Sequence, residues 1–172
     1  VIRIMAYFAD LDSDNKVLQV LIVNDDNITP GDDTANEAWC EANLTHATNG
    51  VSWKQTFRDG TRGLYANGDN MIYRATDWEG HATADKFVGD IPQAWASLFR
   101  LDSNNYWVPK LADPAVDHLG RSLPYDENNI PEDTPLFWGF DPDNNRWQGG
   151  IDVDGTVTQK YYDPNTQTWI DL

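Results

Sequence analysis

The sequence predicts a β-rich α+β fold of short antiparallel strands and hairpins, with one short helix near residues 34–44. Three observations carry this expectation. The turn formers Asp (23), Asn (15), Gly (12) and Pro (9) abound while Glu (5) is scarce, and each favours turns for its own backbone reason. Apolar residues fall in short runs broken by these turn formers rather than at helical spacing. An aromatic-bearing pattern recurs in the C-terminal half.

The first elements read as strand, turn and strand. Tyr7-Phe8-Ala9 leads through Asp10-Leu11-Asp12-Ser13-Asp14-Asn15 into Val17-Leu18-Gln19-Val20-Leu21-Ile22-Val23. The second run is nearly all apolar and β-branched, which predicts a central strand buried on both faces. After a turn-forming stretch with Pro30-Gly31, Thr34 and Glu37 have capping-box spacing and open the helix, with Ala38, Trp39 and Ala42 on one face. Val51, Trp53, Gln55 and Phe57 then alternate with polar residues. Asp59-Gly60 predicts a hairpin whose return strand is Leu64-Tyr65-Ala66, and Met71-Ile72-Tyr73 follows as a further strand. Residues 82–87 and 92–99 read as helical turns.

The repeat comprises Leu101-Asp102 to Trp107, Phe140-Asp141 to Trp147 and Tyr162-Asp163 to Trp169, with spacings of five, six and six from Asp to Trp. Leu11-Asp12 to Leu18 is a weaker copy. Each predicts a hairpin with an Asp-initiated turn and a large aromatic on the return strand, and Asp154-Gly155 predicts another. Residues 112–135 lack periodicity and read as a linker or long exposed loop. The organisation expected is an N-terminal α+β domain over 1–96 and a Trp-anchored hairpin region over 97–172.

Composition excludes several functions. The net charge is −16 over 172 residues, with −7 before residue 87 and −9 after it, so the acidity is spread along the chain. Such a surface repels phosphate backbones and anionic membranes, and neither nucleic acid nor membrane is an expected partner. No apolar run approaches the roughly 20 residues of a membrane span, and Arg3 is followed by too few apolar residues for a secretory signal.

The motifs that resemble catalytic or metal sites each have a simpler reading. Asp10-Leu11-Asp12-Ser13-Asp14 begins like an EF-hand loop, but Asn15 stands where Gly is needed and Leu21 where the bidentate Glu is needed. Asp152-Val153-Asp154-Gly155-Thr156 matches the D-x-D-G-T phosphoryl-transfer signature without its buried parallel strand or the length of chain that must follow. His46, His81 and His118 lack metal-ligand spacing. A pair of carboxylates could suit a glycosidase, yet with 28 acids such pairs arise without design. Cys40 beside Trp39 reads as an inert buried thiol. The sequence therefore predicts no catalytic residue, no metal ligand and no cofactor. The eight tryptophans have two readings: sugar-stacking platforms, or cross-strand packing within hairpins. The constant offset of Trp from its turn favours packing.

Met5-Ala6-Tyr7-Phe8-Ala9-Asp10-Leu11-Asp12 and the following apolar run resemble the opening of a family of small virion-associated structural proteins of tailed phages infecting cyanobacteria and other marine bacteria. The resemblance continues in Trp53-Lys54-Gln55-Thr56, Arg62, Tyr65-Ala66, Tyr73, Phe87, Ile91-Pro92, Trp95, Leu101 and Trp107-Val108-Pro109, and in the Trp-bearing C-terminal hairpins. Residues 112–135 have no counterpart, and Val1 to Ile4 precede the Met at which such proteins usually begin. The resemblance implies a virion structural protein, assembled in the host cytoplasm and carrying no catalytic residue. The expected role is exterior capsid decoration or a vertex position, with a tail, neck or fibre component and a carbohydrate-binding module as alternatives. Expected partners are other virion proteins, the major capsid or tail proteins, and a homo-oligomer of the chain itself. Tyr7, Phe8, Trp138, Trp147 and Trp169 are the candidate partner-binding residues, and residues 1–24 are expected to serve attachment or strand pairing.

Overall fold

A computed structural model describes residues 5–66, 70–124 and 136–172. The fold is β-rich α+β, as the sequence predicts. The chain divides into two compact units, Val1–Val108 and Pro109–Leu172, so the division falls after Val108 rather than at 96/97. The first Trp-bearing hairpin lies with the N-terminal unit because its indole bonds there: Trp107 Nε1 donates to the Gly89 carbonyl at 2.7 Å.

The N-terminal unit is built on a three-stranded antiparallel sheet of β1 (Met5–Leu11), β2 (Val17–Asn24) and β3 (Ser52–Thr56), in the order β2-β1-β3. The central position falls to β1, whereas the apolar run Val17–Val23 forms an edge strand with Ile22 exposed. Both faces of the sheet are nevertheless covered. Side chains alternate across a strand, so Ala6 and Phe8 enter a core with Val23, Cys40 and Trp53. Ala9 and Leu11 enter a second core with Val17, Met71, Tyr73 and Phe87. Helix α1 (Asp33–Asn43) supplies the first cover. The hairpin of β4 (Met71–Arg74) and β5 (Lys86–Gly89) supplies the second. The apolar run shows neither how many neighbours a strand pairs with nor how deeply it is buried: in β2 only Val17 and Val23 are buried, and most of the others are half-buried.

Several expectations are corrected. The N-cap of α1 is Asp32, whose Oδ1 accepts from Ala35 N at 2.9 Å, and not Thr34. The buried face of the helix is Asn36, Glu37 and Cys40, while Ala38 and Ala42 are exposed. Leu64-Tyr65-Ala66 forms no return strand. Gly63 and Leu64 instead meet β5, with Leu64 N donating to the Phe87 carbonyl at 2.8 Å, and β3 pairs with β1. Residues 82–87 are a turn running into β5, whereas Gln93–Leu98 is a 3-10 helix.

β6 (Phe99–Leu101) and β7 (Trp107–Pro109) form the next hairpin. The C-terminal unit is a four-stranded antiparallel meander of β8 (Leu136–Asp141), β9 (Arg146–Val153), β10 (Thr156–Asp163) and β11 (Thr168–Asp171). Its core holds Leu136, Trp147, Ile151, Tyr162 and Trp169.

The repeat is a turn device. Asp12 Oδ1 accepts from Asp14 N and Lys16 N, both at 2.9 Å, and Asp102 Oδ1 accepts from Asn104 N and Tyr106 N at 2.8 and 2.9 Å. Asp141 and Asp163 cap their turns in the same way. Each turn then closes on a residue of positive φ: Asn15, Asn105, Asn145 or Gln167. The phosphoryl-transfer look-alike is one more hairpin turn, with positive φ at Asp154 and Gly155 and Asp152 Oδ1 accepting from Gly155 N at 2.9 Å.

The stretch read as a linker contains a further copy of this turn. Asp117 Oδ1 accepts from Leu119 N and Arg121 N, both at 2.8 Å, Gly120 has φ +77°, and Val116 bridges Ser122. Asp117-His118-Leu119-Gly120-Arg121 thus forms a hairpin without the tryptophan that marks three of the others. Leu111 and Val116 pack on the C-terminal core. The remainder, 125–135, lies outside the described residues.

Candidate functional site

The polar chemistry of the N-terminal unit concentrates between α1, β3 and β1. Glu37 and Glu41 stand one helical turn apart, on the face turned to β3. Their Oε1 atoms accept the outward N–H groups of Gln55 at 3.0 Å and Trp53 at 2.6 Å. Two helix carboxylates thereby occupy the donors of an edge strand, which would otherwise be open to pairing with another chain. Glu37 also accepts from Lys54 Nζ at 2.6 Å and Arg62 at 2.5 Å, and Arg62 reaches the Gln55 carbonyl at 3.0 Å. Asp85 lies 3.0 Å from Arg62 and accepts from the Tyr73 hydroxyl. Burial, and then this hydrogen bond, hold the Tyr73 phenol above its usual range.

Asn36 completes the face. Its amide donates to the Thr29 carbonyl and to Gln55 Oε1 at 3.0 and 3.1 Å, and its oxygen accepts from Thr29 N at 2.7 Å. Thr56 Oγ1 accepts from Ala66 N at 2.9 Å. Trp53, Gln55, Thr56, Arg62, Ala66 and Tyr73, all quoted for the family resemblance, therefore surround one internal network. Their arrangement latches the fold.

A second cluster centres on the fully buried Asp10. Its carboxylate accepts from Ala47 N, from Gln19 Nε2 at 3.0 Å and faces His46 Nδ1 at 2.6 Å. His46 Nε2 faces Glu41 at 3.2 Å, and the imidazole stacks on Trp53 at 5.3 Å. Gly50 stands against the same carboxylate, where a Cβ would come within 2.2 Å of Oδ1. An Asp–His pair could activate a nucleophile, but here the far nitrogen meets a second carboxylate. The group ties the 44–51 loop to β1.

The hydrogen bond to Asp10, outweighing desolvation, raises the His46 pKa above 6.5. A raised pKa means that the folded protein holds the proton more tightly than the unfolded chain. This stabilisation is complete below pH 6.5 and is lost as pH rises through the folded value. The urea midpoint should therefore fall as pH rises above 6.5, and His46→Asn should flatten that fall. An equal slope in the variant would refute the assignment.

Cys40 lies in the core, where burial, and then the charges of Glu41 and Glu37, push its thiol up to about 12. It is not a nucleophile at neutral pH. Among the described residues no group of three His, Cys, Asp or Glu could hold a metal ion, and no helix is long and apolar enough to cross a membrane.

The predicted partner-binding residues separate by burial. Phe8 is fully buried in the core of the N-terminal unit, and Trp147 and Trp169 are buried in that of the C-terminal unit. These three are packing residues and are inaccessible to a partner. Tyr7 and Trp138 are half-buried; Trp138 packs edge-on against Trp147 at 5.0 Å.

None of the eight tryptophans is exposed. The three in the repeat share one use of the indole N–H, bonding a carbonyl outside their own hairpin: Trp107 to Gly89, Trp147 to Ala112 and Trp169 to Val116 at 2.7, 2.8 and 2.7 Å. This is the packing reading of tryptophan, with the N–H of these three indoles satisfied, whereas the Trp53 indole is buried with its N–H unpaired among the described residues.

Two accessible surfaces among the described residues are apolar enough to suit a partner. On the C-terminal sheet, the face away from the core exposes Phe137 (54%), Val157 (45%) and Ile170 (37%). Between the first two lies Gly150, where a Cβ would come within 2.7 Å of Phe137 and 2.9 Å of Val157. In the N-terminal unit, a cleft of about 400 Å³ opens between the start of β1, residues 28–31 and residues 55–59. Of their residues sequence reasoning picked out only Tyr7, because alternation shows that a strand has a second face without showing whether anything covers it. No family model, curated protein or solved structure matches this chain.

Proposed function

We propose that this chain is a structural protein of a phage particle, docked on the exterior of the capsid as a decoration or vertex protein. The observation that carries the reading is the apolar outer face of the C-terminal sheet, which displays Phe137, Val157 and Ile170 in a protein of net charge −16. Exposed apolar surface marks interaction sites, and Gly150 lets Phe137 and Val157 on either side of it close together. Long-range repulsion disfavours acidic partners and DNA, whereas an apolar face can dock on a protein lattice. The reading also accounts for polar clusters engaged in holding the fold and for indoles turned inward instead of toward a glycan.

The test is to mix the purified chain with phage particles separated into heads and tails and to image both by electron microscopy. Regular added density on the capsid lattice or vertices is expected. Density confined to neck, tail or fibres would replace the capsid assignment, and density on neither would overturn the virion reading. Phe137→Asp should abolish retention on heads while shifting unfolding stability by no more than about 0.5 kcal/mol, as for other surface substitutions.

A further inference from the structure

The cleft of the N-terminal unit has a composition that specifies its occupant. Its walls include Met5, Tyr7, Ile28, Pro30 and Phe57, with Arg58 and Asp59 at one end. Met5 is 52% exposed, so an apolar wall faces solvent. A volume of about 400 Å³ lies in the range of roughly 300–1,000 Å³ typical of ligand sites.

The polar groups along the walls are largely engaged. The Asn36 and Gln55 amides bond each other, Thr56 Oγ1 accepts from Ala66 N, and Asn36 also holds Thr29. The Asp59 carboxylate turns back onto Thr61, accepting from its hydroxyl at 2.6 Å and its N–H at 3.0 Å. The Thr61 hydroxyl and N–H hold the Asp59 pKa below its usual value.

Arg58 differs. It is exposed and makes no ion pair among the described residues, in a chain where 28 acids outnumber 12 bases. Its guanidinium lies over the rings of Tyr7 and Tyr65, at 4.7 and 5.3 Å from their centroids. Those two rings meet edge-to-face at 5.3 Å. Stacking on aromatic faces orients a guanidinium while its N–H donors remain available in the plane. A planar fork of donors matches a carboxylate. The negative field of the whole protein disfavours a polyanion, so an apolar group with one adjoining carboxylate fits, and an acid-rich tract does not.

We propose that this cleft binds a protein segment presenting an apolar side chain next to a single carboxylate, with Arg58 pairing the carboxylate and Tyr7, Ile28 and Phe57 receiving the side chain. The inference rests on the reading of the chain as a docking protein and assigns it a second, chemically distinct contact.

The test is a nuclear magnetic resonance titration of the full chain with two probes, N-acetyl-phenylalanine as its carboxylate and N-acetyl-phenylalanine amide. Saturable shifts of the Tyr7, Ile28 and Phe57 amides are expected, with the amide probe weaker by about tenfold, the usual effect of losing a charged hydrogen-bond partner. Arg58→Gln should bring the carboxylate down to the level of the amide, while Arg100→Gln, at an exposed cation outside the cleft, should leave the preference intact. Absence of saturable shifts, equal binding of both probes, or a preference surviving Arg58→Gln would each overturn the proposal. The titration contains no particle, so its outcome is separate from that of the imaging experiment.

Discussion

Replacing Glu37 by Ala should destabilise the N-terminal unit by about 3–5 kcal/mol, the range found when one member of a buried ion pair is removed. Glu37 carries three bonds at once, to Arg62, Lys54 and the Gln55 N–H. Its loss would leave Arg62 without its nearest carboxylate and reopen part of the β3 edge. Lys54→Ala should cost about 1 kcal/mol or less, because its ammonium is nearer to solvent and exposed pairs contribute little. Urea unfolding followed by circular dichroism measures both. A Glu37→Ala loss no larger than that of Lys54→Ala would show that Glu37 is not the centre of the network. The same variant should increase hydrogen exchange at the Gln55 amide first, since Gln55 N loses its acceptor directly, while Trp53 N keeps Glu41.

Trp169→Ala should cost about 3–5 kcal/mol in the C-terminal unit, as for other buried aromatic truncations. Trp169 is buried among Tyr162, Trp147 and Ile151, and its N–H holds the Val116 carbonyl at 2.7 Å. Trp169→Phe keeps most of the bulk and deletes that hydrogen bond, so it should cost about 1–2 kcal/mol. Hydrogen exchange at β9 and β10 amides reads the loss within this unit. If Trp169→Ala left stability unchanged, the residue would not be a core anchor, and the sugar-stacking reading of tryptophan would regain support.

Much of the fold was legible from local signals. An Asp that accepts N–H groups two to four residues ahead, followed by a residue tolerating positive φ, produces a hairpin wherever it occurs. Leu11-Asp12, Leu101-Asp102, Phe140-Asp141 and Tyr162-Asp163 all behave this way. The copy at Asp117 escaped notice because Ser122 and Leu123, five and six residues after the Asp, stand where three of the others carry Trp. The backbone device does not depend on that side chain.

The site was far less legible. Glu37 reads locally as a capping-box residue, yet it faces Arg62, which is distant in sequence. Asp10 reads as the start of a calcium loop and is instead fully buried against His46 and Ala47. Phe8, Trp147 and Trp169 were chosen as binders because aromatics suit interfaces, but aromatics suit cores equally, and only neighbouring side chains distinguish the two. For the same reason Arg58 gave no signal. An arginine with no ion pair among the described residues is defined by which of their carboxylates fail to reach it.

The sequence by itself determined where this chain turns, which segments are extended and how acidic its surface is, because backbone conformation and charge are properties of a few adjacent residues. Only the tertiary structure decided that β1 takes the centre of its sheet, that helix carboxylates close the β3 edge, and which apolar surfaces stay uncovered. Those outcomes depend on pairing and burial between segments far apart in the chain, where desolvation and partner geometry set the balance.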